Sequence, residues 1–120
     1  MQLALFARGA LSYRLVALST DEGKTFGPTR TLSLREPLEG CEGSTIRLPG
    51  SDWLLYSGPV STSVLRLNMT IFLSKDGGQQ WVPWQLVYVG PAAYSALAVL
   101  PDGRFVHMCD YVCSWICVCF

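Results

Sequence analysis

The sequence predicts an all-β protein built from repeated antiparallel sheets of about four strands and roughly 50 residues each. Three observations predict it. Ser19–Phe26 reads STDEGKTF and Ser74–Trp81 reads SKDGGQQW, one pattern of Ser, any, Asp, any, Gly, any, any, aromatic, repeated 55 residues apart (74 − 19). The octets are preceded by YRLVALS and NMTIFLS, alternating β-prone runs that end on the octet's own Ser. No stretch sustains the 3.6-residue apolar spacing of an amphipathic helix.

The elements follow in order. MQLALFA is apolar but short, lacks a basic n-region and runs directly into Arg8. It is read as a strand interior, and no signal peptide is expected. YRLVALS is the next strand. In the octet behind it, Asp21 accepts hydrogen bonds from backbone N–H groups ahead of it and Gly23 supplies positive φ. Phe26 closes the unit by packing on the hairpin. STIRLPGSDWLLYSG reads as strand, turn at Pro49–Asp52, strand. NMTIFLS then leads into the second octet, where Ser74, Asp76, Gly78 and Trp81 repeat the roles of Ser19, Asp21, Gly23 and Phe26. YSALAVLPDGRFVHM reads as strand, turn at Pro101–Gly103, strand. A repeat near 50 residues with four strands per unit is the pattern of propeller blades, and the chain holds about two blades and part of a third. A closed ring takes roughly four to eight, so the chain is read as a piece of a larger ring or as an assembly subunit. The octets are scaffolding on this reading.

Composition narrows the function. Of 120 residues, 50% are hydrophobic and 15% charged, enough to bury one core. Nine basic residues balance nine acidic ones, which argues against a nucleic-acid partner. No apolar run reaches the roughly 18 residues of a membrane-spanning helix. Cys41 stands alone, while Cys109, Cys113, Cys117 and Cys119 crowd the end without a paired C-x-x-C zinc spacing. Disulfide, metal and incidental readings stay open for them, the incidental one favoured. His107 is the only histidine, so it is read as structural or incidental, with no metal and no cofactor expected.

The octets match the Asp box, S-x-D-x-G-x-x-W/F, and the segments between them carry a wider resemblance. FARGALSYRLVALSTDEGKTF resembles a sialidase segment with an active-site Arg shortly before an Asp box. CEGSTIRLPGSDWLLYSGPVSTSVLRLNMTIFLSKDGGQQW resembles the next blade, whose R-x-N-[ML]-T carries another. GPAAYSALAVLPDGRF resembles the segment with the catalytic Tyr. The three cover about Leu3 to Phe105 in family order. The chain is thus identified as resembling the exo-α-sialidase (neuraminidase) family, closest to its lysosomal sialidase-1-like and bacterial members. The resemblance implies a six-bladed β-propeller, with residues 1–105 a partial propeller and residues 106–120 an aberrant Cys-rich hydrophobic tail.

It also implies site residues. Arg8 and Arg66 resemble two of the three arginines that grip the sialic acid carboxylate, Tyr94 the catalytic nucleophile, and Glu42 a pocket-lining position where the family more often has Gln. The chemistry is coherent. A guanidinium donates two parallel hydrogen bonds to a carboxylate and stays charged. A carboxylate nucleophile would be repelled by the substrate's own carboxylate, whereas a phenol approaches neutral; sialidases with a Tyr nucleophile are the exception among retaining glycosidases. A phenol with a pKa of about 10 needs a neighbouring base, a Glu in this family.

The family's first arginine, its Asp acid/base and that Glu lie upstream of the segment matched here. VHMCDYVCSWICVCF replaces the strand in which a further Glu is expected. The resemblance therefore implies a fragment of an enzyme that hydrolyses terminal α-linked sialic acids from glycoproteins, glycolipids and oligosaccharides, inactive as this chain alone. It also implies a lysosomal, secreted or membrane-associated parent, and a protective protein partner if the parent is of lysosomal type. Asn68-Met69-Thr70 is an N-glycosylation sequon, with Asn68 the acceptor. Two rivals remain: a non-catalytic Asp-box propeller that binds glycans or protein partners, and a small cysteine-rich metal or interaction module built on the tail.

Overall fold

The computed structural model describes residues 2–111 and 114–119, with side chains described through Asp110. Ten strands and no helix make up the described residues. A first sheet holds β1 (Leu3–Ala7), β2 (Tyr13–Ser19) and β3 (Arg30–Arg35) in the order β1-β2-β3. The second holds β4 (Ser44–Arg47), β5 (Leu54–Pro59), β6 (Leu67–Ser74) and β7 (Val82–Pro91), again in sequence order. The third holds β8 (Ser95–Val99), β9 (Phe105–Tyr111) and β10 (Ser114–Cys119). Every pairing is antiparallel.

The octets fix how the sheets correspond. One joins β2 to β3 and the other joins β6 to β7, so β1–β3 match β5–β7. The first sheet thus presents the last three strands of a four-strand unit, and the third presents the first three. The meanders thus form one complete four-strand blade between two three-strand ones, a partial propeller as the sequence predicts.

The second sheet is the centre of the packing. Along β5 and β6 successive side chains alternate between its faces. Tyr56 and Phe72 join Val16, Leu32, Leu34 and Trp81 in a cluster against the first sheet. Leu55, Ile71 and Leu73 join Leu97 and Phe105 against the third. Both faces are covered, which is why Ile71, Phe72 and Leu73 follow one another as an unbroken apolar run. Each fully buried aliphatic or aromatic side chain here contributes about 1.5–3 kcal/mol.

The octets share one hydrogen-bond pattern. The Ser19 hydroxyl donates to Asp21 (2.7 Å) and accepts the Gly23 N–H (2.9 Å). The Ser74 hydroxyl does the same with Asp76 (2.8 Å) and Gly78 (2.8 Å). Asp21 then accepts the Thr25 N–H, and Asp76 accepts those of Gln79 and Gln80. Gly23 and Gly78 have φ of 88° and 91°, a region that costs an L side chain. The aromatic ends differ. Trp81 is 6% exposed and donates its indole N–H to the Gly78 carbonyl. Phe26 is 41% exposed and does not lock its hairpin as the sequence pattern suggests. Phenylalanine has no N–H with which to anchor itself as the Trp81 indole does.

The expected division at residue 105 falls at the start of a continuous strand. β9 runs from Phe105 to Tyr111, with Ser95 opposite Cys109 and Leu97 opposite His107. His107 and Cys109 are fully buried. A tail of apolar and β-branched residues is strand-forming whatever its origin, and here it extends the hairpin begun at Pro101.

Candidate functional site

The predicted site residues sit at one end of the sheets, where the β1–β2 and β5–β6 loops meet the leads into β4 and β8. Arg8 follows β1, Glu42 precedes β4, Arg66 precedes β6 and Tyr94 precedes β8. The first and third of these belong to equivalent loops of successive sheets.

A short segment, Gly40–Glu42, joins them. Gly40 has φ +70°, and a Cβ there would lie 2.6 Å from the Arg8 Cβ, so only glycine lets the Arg8 stem lie against the segment. Next to it the Cys41 thiol is fully buried and donates to the Ala93 carbonyl at 3.4 Å. Burial pushes its pKa up, so it is held as the thiol. The Glu42 carboxylate accepts the Ser95 N–H at 3.1 Å, and two residues on, the Ser44 hydroxyl accepts the Leu97 N–H at 3.0 Å. Side chains thus take the place of a backbone ladder between β4 and β8.

Arg66 and Tyr94 meet directly. The Arg66 guanidinium lies over the Tyr94 ring, 5.2 Å from its centroid. Its pKa is raised first of all by a hydrogen bond to the Tyr94 side chain. Tyr94 itself is 44% exposed, so the pair opens to solvent. Its backbone is clamped from β9: Asp110 Oδ1 accepts the N–H groups of Ala93 (2.9 Å) and Tyr94 (2.7 Å), and the Asp110 N–H donates to the Tyr94 carbonyl (3.0 Å). Sequence reading missed Asp110. The register of the hairpin around Pro101–Gly103 contains the signal, since positions paired across it sum to 204 and 94 faces 110.

Asn68 lies at a register shift in β6 with φ +58°. Its Oδ1 accepts the Gly90 N–H at 3.4 Å, and the Thr70 hydroxyl donates to its carbonyl at 2.9 Å. Asn tolerates this left-handed conformation better than most residues, so the residue shapes the turn that presents Arg66. Glu36, close to the site, pairs with Arg14 at 2.7 Å, while Glu39, next to Gly40, is exposed. Among the described residues no group of three or more His, Cys, Asp or Glu converges to hold a metal. Cys113 lies outside the described residues, as do the side chains of Cys117 and Cys119. No helix among the described residues is long and apolar enough to cross a membrane.

Successive antiparallel meanders, two of them closed by the same Ser–Asp hairpin, are blades of a β-propeller. The chain belongs to the BNR repeat-like domain family, whose profile matches residues 1–108. It is 37% identical over 101 residues to a sialidase of Micromonospora viridifaciens, spanning 78% of the chain and 15% of that protein. It is 28% identical over 150 aligned positions to Sialidase-3 of Mus musculus, spanning 90% of the chain and 35% of the relative. The solved structure of a Hadza microbial sialidase superposes with a TM-score of 0.75 at 32% identity, over 89% of this chain and 22% of that one. The chain therefore covers well under half the length of these relatives.

Proposed function

We propose that the chain is part of an exo-α-sialidase that hydrolyses terminal α-linked sialic acids of glycoproteins, glycolipids and oligosaccharides with retention of configuration. The observation that carries this reading is the direct contact of Arg66 with Tyr94, in a chain whose relatives are sialidases. Arg66, with Arg8 across the Gly40–Glu42 segment, binds the substrate carboxylate. Tyr94 Oη bonds to the anomeric carbon as the glycosidic C–O bond breaks and the aglycone leaves with a proton from the acid/base Asp of the parent, and water later displaces the tyrosine from the glycosyl intermediate. Glu42, anchored on Ser95, lines the pocket. In the Arg66 contact the carboxylate-binding cation and the nucleophile share one edge of the site, as a carboxylate borne on the reacting carbon requires.

The attack requires a base to take the phenolic proton. The carboxylates described near Tyr94 are committed to other partners: Glu42 to Ser95, Asp110 to the backbone at 93 and 94, Glu36 to Arg14. The chain alone is accordingly an inactive part of the catalytic unit. Its parent acts in the lysosome, or as a secreted or membrane-associated enzyme.

Two measurements on the purified chain test this. Saturation-transfer NMR with 3′-sialyllactose is expected to show sialic acid contacts that Arg66→Ala removes and Tyr94→Phe keeps. Contacts indifferent to Arg66 would favour a non-catalytic glycan-binding propeller. A fluorogenic α-sialoside is expected to stay intact, and detectable release would overturn the assignment of inactivity.

A further inference from the structure

Beneath the candidate site lies an ion pair shielded from water. Arg14, in β2, is 4% exposed, and Glu36, just beyond β3, is 0% exposed. Arg14 Nη2 stands 2.7 Å from Glu36 Oε2 and also donates to the Tyr56 hydroxyl (2.6 Å) and the Cys41 carbonyl (2.6 Å). The guanidinium lies 5.1 Å from the Tyr56 ring centroid. The other Glu36 oxygen accepts the Gly9 N–H at 2.9 Å.

Stability alone does not account for this arrangement. Burying two charges costs about as much as their attraction returns, and apolar replacements of similar volume often leave a protein as stable or more so. Arg14 Nε moreover lacks an acceptor, a buried donor left unsatisfied. What the pair does reach is the site. Gly9 follows Arg8, Cys41 precedes Glu42, and Tyr56 belongs to the second sheet. One ion pair therefore connects the loop carrying Arg8, the segment carrying Glu42 and the blade behind them.

Resting on the sialidase reading above, we propose that Arg14 and Glu36 are positioning residues that fix the separation of Arg8 from the Cys41–Glu42 segment, and so the aperture that receives the sialic acid carboxylate. Glu36 holds the arginine loop through Gly9, and Arg14 holds the facing segment through the Cys41 carbonyl. Neither touches substrate.

The test compares three variants of the chain: Glu36→Gln, Tyr56→Phe, and the double change Arg14→Met with Glu36→Leu. Amide NMR shifts at Gly9, Cys41, Glu42 and Ser95 report the geometry, thermal melting reports stability, and titration with N-acetylneuraminic acid reports the site. The double variant is expected to melt near the unaltered chain yet show all four amides displaced together and affinity roughly ten- to a hundredfold weaker. Tyr56→Phe keeps the ion pair, so smaller displacements at Cys41 and Glu42 are expected, with Gly9 unmoved. If Glu36→Gln does not fold, the other two variants carry the comparison. A double variant that folds with unmoved amides and unchanged affinity overturns the proposal. If the unaltered chain itself binds no N-acetylneuraminic acid, the sialidase reading fails for this chain, and the four amide shifts alone still decide whether the ion pair sets the loop separation.

Discussion

His107 shows what one buried residue does to the whole titration. It is fully buried, and neither ring nitrogen has a hydrogen-bond partner. Burial pushes its pKa from the usual 6.5 down to about 4. The folded protein therefore binds the proton less readily than the unfolded chain does. The neutral imidazole's contribution to stability is fully present above pH 6.5 and is lost as pH falls towards 4. His107→Leu is expected to flatten the dependence of urea unfolding on pH across that window; an unchanged slope would place the sensitivity elsewhere. Asp21 contributes with the same sign lower down. Hydrogen bonds from Thr25 lead the causes that hold its pKa at about 2, so its contribution fades as pH falls below 3.8. The site residues show the limit of single-residue reading. Arg8, Glu42, Arg66 and Tyr94 could be picked out by family resemblance, and the structure brings them around one segment. Arg14 and Glu36 could not. An Arg in YRLVALS and a Glu in LREPLEG look like surface charges until the first sheet folds them beneath its own loop.

At the scale of the element, the two octets give the same eight positions two different outcomes. Both Ser–Asp hairpins close identically, but Trp81 enters the core and Phe26 does not. Trp81→Ala is expected to cost about 3–5 kcal/mol, the usual penalty for emptying a buried aromatic site. Phe26→Ala should cost under about 1 kcal/mol, as surface changes do. Chemical denaturation of both variants checks this, and equal penalties would mean Phe26 packs more tightly than its exposure indicates. Strand positions were legible where turns were explicit, as at Pro49–Asp52 and Pro101–Gly103. β3 and β7 were not, because RTLSLR carries no turn marker of its own and VPWQLVYVGP carries two prolines and no clear alternation. The tail looks foreign to the family because it departs from the strand in which a further Glu is expected. Its first half is nevertheless paired strand, since pairing is set by the hairpin register and not by family likeness.

At the scale of the molecule, the second sheet couples the other two. Trp81 packs towards the first sheet and Ile71 towards the third. Trp81→Ala and Ile71→Ala are both expected to lower one cooperative transition, recorded identically by near-ultraviolet and far-ultraviolet circular dichroism. Two separable transitions in either variant would mean that the blades melt independently. The number of sheets followed from the 55-residue repeat, because repetition is a property of the sequence itself. The contact of Arg14 with Tyr56 did not, because it joins the first sheet to the second and only the rotation between blades brings them together; the Asp110 clamp lies within the third sheet, where the hairpin register contains it.

That rotation carries one more consequence. Arg8 and Arg66 occupy matching loops of adjacent blades, so a single angular step of the ring generates both positions. The spacing between the two cations is then a lattice constant of the assembly, inherited from blade packing and adjustable only in small amounts by side-chain length. On the sialidase reading proposed above, a ligand whose anionic oxygens fit that spacing would be selected by the architecture before any individual contact is tuned. A change in the inter-blade core, however distant from solvent, would alter that selection as surely as a change of either arginine.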